Sequence, residues 1–144
     1  MSVDVVLTLK EFENRLIKES KHTPFGALWN KDFPDEGAVY VIWENNTPVY
    51  VGETSGLKRR MSELARPINH AFTKKMQKRF GLLDKDIKLL RKKISENFKV
   101  SFVVVSFGRA EIEEYLILRW RSTLINKITK RLLYGNQYKW VMPD

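Results

Sequence analysis

Two tyrosines, Tyr40 and Tyr50, stand ten residues apart on two short runs of β type, and the second run reaches Gly52 just before a strongly basic segment. Arg59 and Arg60 open that segment, and three glutamates, Glu111, Glu113 and Glu114, follow far downstream in a helical pattern. Phenol, guanidinium and carboxylate together suit the cutting of a phosphodiester. That reaction needs positive charge on the developing oxyanion, a positioned water and a proton for the leaving oxygen. Other chemistries fail on inventory. The chain has no cysteine, so thiol nucleophiles and thiolate metal sites are excluded. Its two histidines, His22 and His70, have no zinc-ligand spacing. Gly52 and Gly56 flank a turn with no following Lys-Ser/Thr, which removes the phosphate loop of nucleotide hydrolases.

These side chains need a scaffold, and the apolar pattern supplies one. Leu9, Phe12, Leu16 and Ile17 share a stripe after Thr8, a candidate cap, so a helix opens the chain. After a Pro- and Gly-bearing loop, Ala38–Trp43 and Val49–Val51 read as a β-hairpin joined by Glu44–Pro48. A basic helix starts at Leu57, with Pro67 as its breaker, and Ile68–Phe72 restarts a second one. A third basic helix covers about Asp84 to Ser95. Phe98–Phe107 is the richest in β-branched and aromatic residues and is expected to be a third strand at or near the sheet centre. Ala110–Leu124 reads as a mostly buried helix, and the aromatic tail at Leu132–Trp140 as packed. The expected fold is α+β: a small, mainly antiparallel three-stranded sheet flanked by helices.

The hairpin and its surroundings resemble the GIY-YIG nuclease superfamily. Its two short motifs correspond to Ala38-Val39-Tyr40 and Tyr50-Val51-Gly52, with Leu57 and Arg60 at the offsets of the family's helix arginine. Glu114, the apolar pair Ile117-Leu118 and Asn126 match its later metal-binding glutamate and asparagine. The chain departs from the pattern at Ala38 in place of the first glycine, at Glu53 where many members carry a cationic or amide side chain, at Leu64 where some have histidine, and at Thr123 where proline is common.

The resemblance implies a divalent-metal-dependent endonuclease that hydrolyses DNA, of a stand-alone restriction-like or mobile-element type. Tyr40 and Tyr50 would position or deprotonate water, Arg60 would face inward onto the scissile phosphate, and Glu114 would hold Mg²⁺ or Mn²⁺. Read from the residues, Arg59 competes with Arg60, and Glu111 and Glu113 with Glu114. A carboxylate on the face of Ile117 and Leu118 is costly without a partner, and a hard cation would relieve it. His70 is a candidate base, Asn126 a helix C-cap, a phosphate contact or a support for Glu114, and Gly52 a structural turn.

Charge supports a polyanionic partner. The 144 residues hold 26 basic and 17 acidic side chains, a net +9. Residues 58–93 alone carry 13 basic and 3 acidic groups. Lys58, Arg59, Arg66, Lys74, Lys75, Lys78 and Arg79 are the expected nucleic-acid contacts, with duplex DNA the expected substrate. The alternative is a binding module of the same fold without turnover; a basic domain docking on RNA is a third reading. With 43% apolar and 30% charged residues, no signal-peptide pattern and no membrane-length apolar run, a cytoplasmic location is expected. One domain spanning 1–144 is expected, with 1–36 as helix and lead-in, 37–127 as the core bearing the motifs, and 128–144 as a tail packed on it.

Overall fold

From Ala38 to Trp43 every residue is buried, as in a strand covered on both faces. In a computed structural model this segment is β1, Ala38–Glu44, the middle strand of a three-stranded sheet ordered β2-β1-β3. The structure describes residues 5–26, 29, 31 and 33–126. Both neighbours, β2 (Thr47–Thr54) and β3 (Lys99–Val104), pair antiparallel with β1. The α+β architecture agrees with expectation, but β3 lies at an edge rather than at the centre. High β propensity marked β3 as central, yet its ends, Lys99 and Val104, are exposed, whereas β1 is apolar at each buried position. Burial on two faces, more than propensity, identifies a middle strand.

Alternation along β1 divides the core in two. Ala38, Tyr40 and Ile42 face a cluster with Tyr50, Leu57, Met61, Phe72, Leu90 and Phe98. Val39, Val41 and Trp43 face a second cluster with Leu9, Leu16, Val103, Tyr115 and Leu116. The first face is covered by α2 (Leu57–Glu63), α3 (Ala71–Arg79) and α4 (Ile87–Asn97), the second by α1 (Val5–Lys18) and α5 (Arg109–Arg119). Each large side chain so enclosed contributes about 1.5–3 kcal/mol.

Several boundaries differ from the sequence reading. Thr8 lies inside α1 and does not cap it, and Ile17, one position past Leu16, turns off the buried stripe. The hairpin closes through Asn45-Asn46 alone, both with positive φ, the two-residue turn whose twist matches that of the strands. Helix α2 ends at Glu63, short of Pro67. Beyond it the Leu64 and Ala65 carbonyls accept from Thr73 Oγ1 and Arg91 Nε, contacts that hold the chain in a turn. The aromatic tail lies outside the described residues.

Candidate active site

Tyr40 lies directly opposite Gly52 across the β1–β2 pair, and Tyr50 sits two residues earlier on β2, so both rings share one face as diagonal neighbours. Their centroids are 6.3 Å apart. A Cβ on residue 52 would strike the Cζ, Oη and Cε1 of Tyr40. Gly52 is therefore no turn residue; it is a strand residue whose missing side chain makes room for the Tyr40 ring.

Helix α2 brings the guanidinium. Leu57 N–H donates to the Glu36 carbonyl and Trp29 Nε1 to the Met61 carbonyl, which seats the helix against the lead-in loop. Of the two competing arginines, Arg59 has a side chain 69% exposed, whereas that of Arg60 is 25% exposed and points inward. Arg60 Nη1 donates to Glu63 Oε2 at 2.7 Å and to the Asn69 carbonyl at 3.0 Å. Its charge bears on both tyrosine hydroxyls.

His70 completes this side. Its Nδ1 accepts the Phe72 N–H at 3.1 Å as the N-cap of α3. Burial, aided by the Arg60 charge, pushes its pKa down to about 3, so the ring is neutral. A neutral imidazole with an accepting Nδ1 carries its proton on Nε2. Nε2–H therefore donates to the Tyr40 hydroxyl oxygen, 2.8 Å away. In this orientation Nε2 cannot take a proton from Tyr40, and His70, a candidate base from sequence, acts on its two neighbours as a cap and a hydrogen-bond donor. Burial also raises the pKa of Tyr40 and, despite Arg60, that of Tyr50.

The carboxylates arrive from α5 along the outer edge of β2. Burial and the charges of Glu53 and Glu114 push Glu113 up to about 7, against the pull of a hydrogen bond from the Glu53 backbone N–H. The charge of Glu113 acts on Tyr40 and Tyr50. Glu114, the residue indicated by spacing, is fully buried beside it. Asn126 is not a helix cap, since α5 ends at Arg119. Its Oδ1 accepts the Val51 N–H at 3.1 Å and its Nδ2 donates to the Val51 carbonyl. Ile125 N–H donates to the Val49 carbonyl, and Thr123 Oγ1 to that of Pro48. With Glu113 at Glu53, these contacts seal an edge that would otherwise present bare backbone groups.

Two further residues joined the site unannounced. Arg109 Nε lies 3.2 Å from Glu53 Oε2, and its Nη1 donates to the Val105 and Ser106 carbonyls. A cation in the first turn of a helix opposes the helix dipole, and that was the available signal for Arg109. Glu63, three residues after Arg60, could have been read as its helical partner.

Of the expected nucleic-acid contacts, Lys58, Arg59, Arg66, Lys74, Lys75 and Lys78 are all exposed. Lys74, Lys75 and Lys78 line an open groove of about 600 Å³ on α3. Arg79 is engaged by Glu44 through two bonds of 2.9 and 3.1 Å.

A hairpin carrying two buried phenols, flanked by a helix arginine on one side and helix carboxylates on the other, defines a class of phosphodiester-cutting domain. The GIY-YIG catalytic domain family matches residues 36–129, and the chain belongs to that family. Membership carries a nuclease-type function and a nucleic-acid substrate. Neither the curated proteins nor the solved structures compared with the chain give a match. Among the described residues, no helix is long and apolar enough to cross a membrane.

Proposed function

We propose that the protein is a divalent-metal-dependent endonuclease that hydrolyses duplex DNA. The observation that carries this reading is the convergence of Tyr40, Tyr50, Arg60 and the Glu113 carboxylate at one end of the β1–β2 hairpin. Mg²⁺ or Mn²⁺ fits the donor set, which is all oxygen. Burial, and after it the charges of Glu53 and Glu114, push Glu113 up to about 7, and a hard cation would offset both the lost solvation and the like-charge repulsion. Among the described residues no three His, Cys, Asp or Glu side chains group around a cation position, so the substrate's phosphate oxygens would complete the coordination. We assign the cation to Glu113, whose charge already reaches both tyrosines, in preference to Glu114. When bound, the metal would supply Lewis-acid stabilisation of the phosphate and a more acidic water.

The chain's own groups divide the remaining work. Arg60 stabilises charge on the scissile phosphate, held in place by Glu63 and the Asn69 carbonyl. Tyr40 receives the His70 proton donor and is fixed in orientation, while Tyr50, less deeply buried, presents its hydroxyl to the attacking water. Lys58, Arg59, Arg66 and the α3 lysines hold the phosphate backbone.

Plasmid nicking tests the reading. The wild type should cut with Mg²⁺ or Mn²⁺ and stop with EDTA, and Glu113→Gln should lower cutting by at least about a hundredfold with binding retained. If Glu114→Gln abolishes cutting while Glu113→Gln does not, the carboxylate assignment is wrong. Salt-sensitive binding with no cutting of any DNA or RNA would mean a module that has lost turnover.

A further inference from the structure

Between α2 and α3 the chain makes a turn through Arg66, Pro67, Ile68 and Asn69, and at its apex Ile68 is 90% exposed. A lone exposed isoleucine is ordinary. This one is held out by a turn pinned from several directions. Thr73 Oγ1 donates to the Leu64 carbonyl, Arg91 Nε to that of Ala65 at 2.9 Å, and Asn69 N–H to that of Arg66 at 3.1 Å. Arg60 Nη1 donates to the Asn69 carbonyl at 3.0 Å, and His70 is locked between Phe72 and Tyr40. Pro67 further restricts the backbone at the apex. Ile68 thus projects rigidly into solvent one residue from the carbonyl that orients Arg60, with the exposed cation of Arg66 two positions before it.

We propose that Ile68 is a wedge that enters the base stack of a DNA duplex beside the phosphate bound by Arg60. The inference rests on the nuclease reading above and deepens it by naming what the site does to its substrate. An apolar side chain on a fixed turn, flanked by cations that clamp the backbone, can replace a base–base contact with its own and bend the duplex toward the protein. Opening one step lets the scissile phosphate swing onto Arg60. The energetic cost of unstacking is smallest where pairing is already imperfect, so intact duplex needs Ile68 most.

The full-length protein is bound in EDTA to duplexes carrying 2-aminopurine at successive positions across the cleavage site, and cutting is measured separately with Mg²⁺. Wild-type binding should raise fluorescence at one step, and Ile68→Ala should remove that rise. The same variant should cut intact duplex about tenfold more slowly, yet stay within about twofold of wild type on a substrate mismatched at that step. Ile68→Leu should restore both signals, and unchanged thermal melting of each variant shows that the fold is intact. Retention of the fluorescence rise by Ile68→Ala, or equal loss on intact and mismatched DNA, overturns the wedge. A wild type that cuts nothing but still raises fluorescence through Ile68 supports the wedge and rejects the nuclease reading. Absence of both cutting and fluorescence rise rejects the two together.

Discussion

His70 points its one proton at Tyr40, and that direction sets what a pH titration of the protein should show. With its pKa near 3, the imidazole does not titrate near neutrality. Glu113, pushed up to about 7 by burial and by the charges of Glu53 and Glu114, does titrate there. At subsaturating Mg²⁺, where the cation must displace the Glu113 proton, log kcat/KM should therefore rise with unit slope as pH climbs toward 7, with no limb near the ordinary histidine value; a limb at about 6.5 that vanishes in His70→Asn would overturn this. Stability should move the opposite way. The folded value of Glu113 lies above its ordinary 4.5, so its favourable contribution is complete below about 4.5 and is lost as pH rises through 7. Glu113→Gln should raise the melting temperature at pH 8, by an amount corresponding to about 1–2 kcal/mol after allowance for solvent screening, and leave it unchanged at pH 4. Differential scanning calorimetry at the two pH values checks it.

At the scale of elements, the site is a hairpin with one edge welded to a helix and its exit. Asn126 occupies both backbone groups of Val51, so Asn126→Ala should leave a part-buried N–H and C=O unpaired and cost about 1–3 kcal/mol. Chemical denaturation measures that loss, and amide exchange at Val51 should quicken in parallel. Gly52→Ala should act from the other side of the same strand by displacing the Tyr40 ring, costing about 1–3 kcal/mol and most of the activity. A Gly52→Ala protein with native melting and native cutting would contradict the packing described.

The hairpin, the three basic helices and the two tyrosines were legible because alternation, Gly and Pro placement and charge are local signals. The central position of β1 was legible in principle, since Ala38–Trp43 is apolar at every position, but the stronger β propensity of Phe98–Phe107 drew attention away from it. The roles of Asn126 and Gly52 were not legible. One is a bond across 75 residues and the other a contact with a ring on the neighbouring strand. Spacing indicated Glu114, with Glu111 and Glu113 as competitors; adjacent helix positions differ by about 100°, and the preference for Glu113 in the reading proposed above comes from its contact with the Glu53 N–H across the edge of β2, which no local pattern encodes.

Over the whole molecule, positive charge gathers on α2, α3 and α4, the helices covering the tyrosine face, and not on α1 and α5 behind the sheet. Binding should therefore be one-sided and steeply dependent on salt. Replacing Lys74, Lys75 and Lys78 together with alanine should reduce the slope of log affinity against log salt by about 2–3, with the cutting rate at saturating DNA preserved. A fluorescence-anisotropy titration across salt concentrations reads the slope, and an unchanged value would move the DNA track elsewhere.

An N–H binds a carboxylate more strongly than a carboxylic acid, and the Glu53 N–H is the one that answers Glu113. Whatever changes the charge at Glu113, a proton or a cation, must be transmitted to that single amide. The strand thus contains its own indicator: the Glu53 amide resonance should report site occupancy even when no substrate is being turned over.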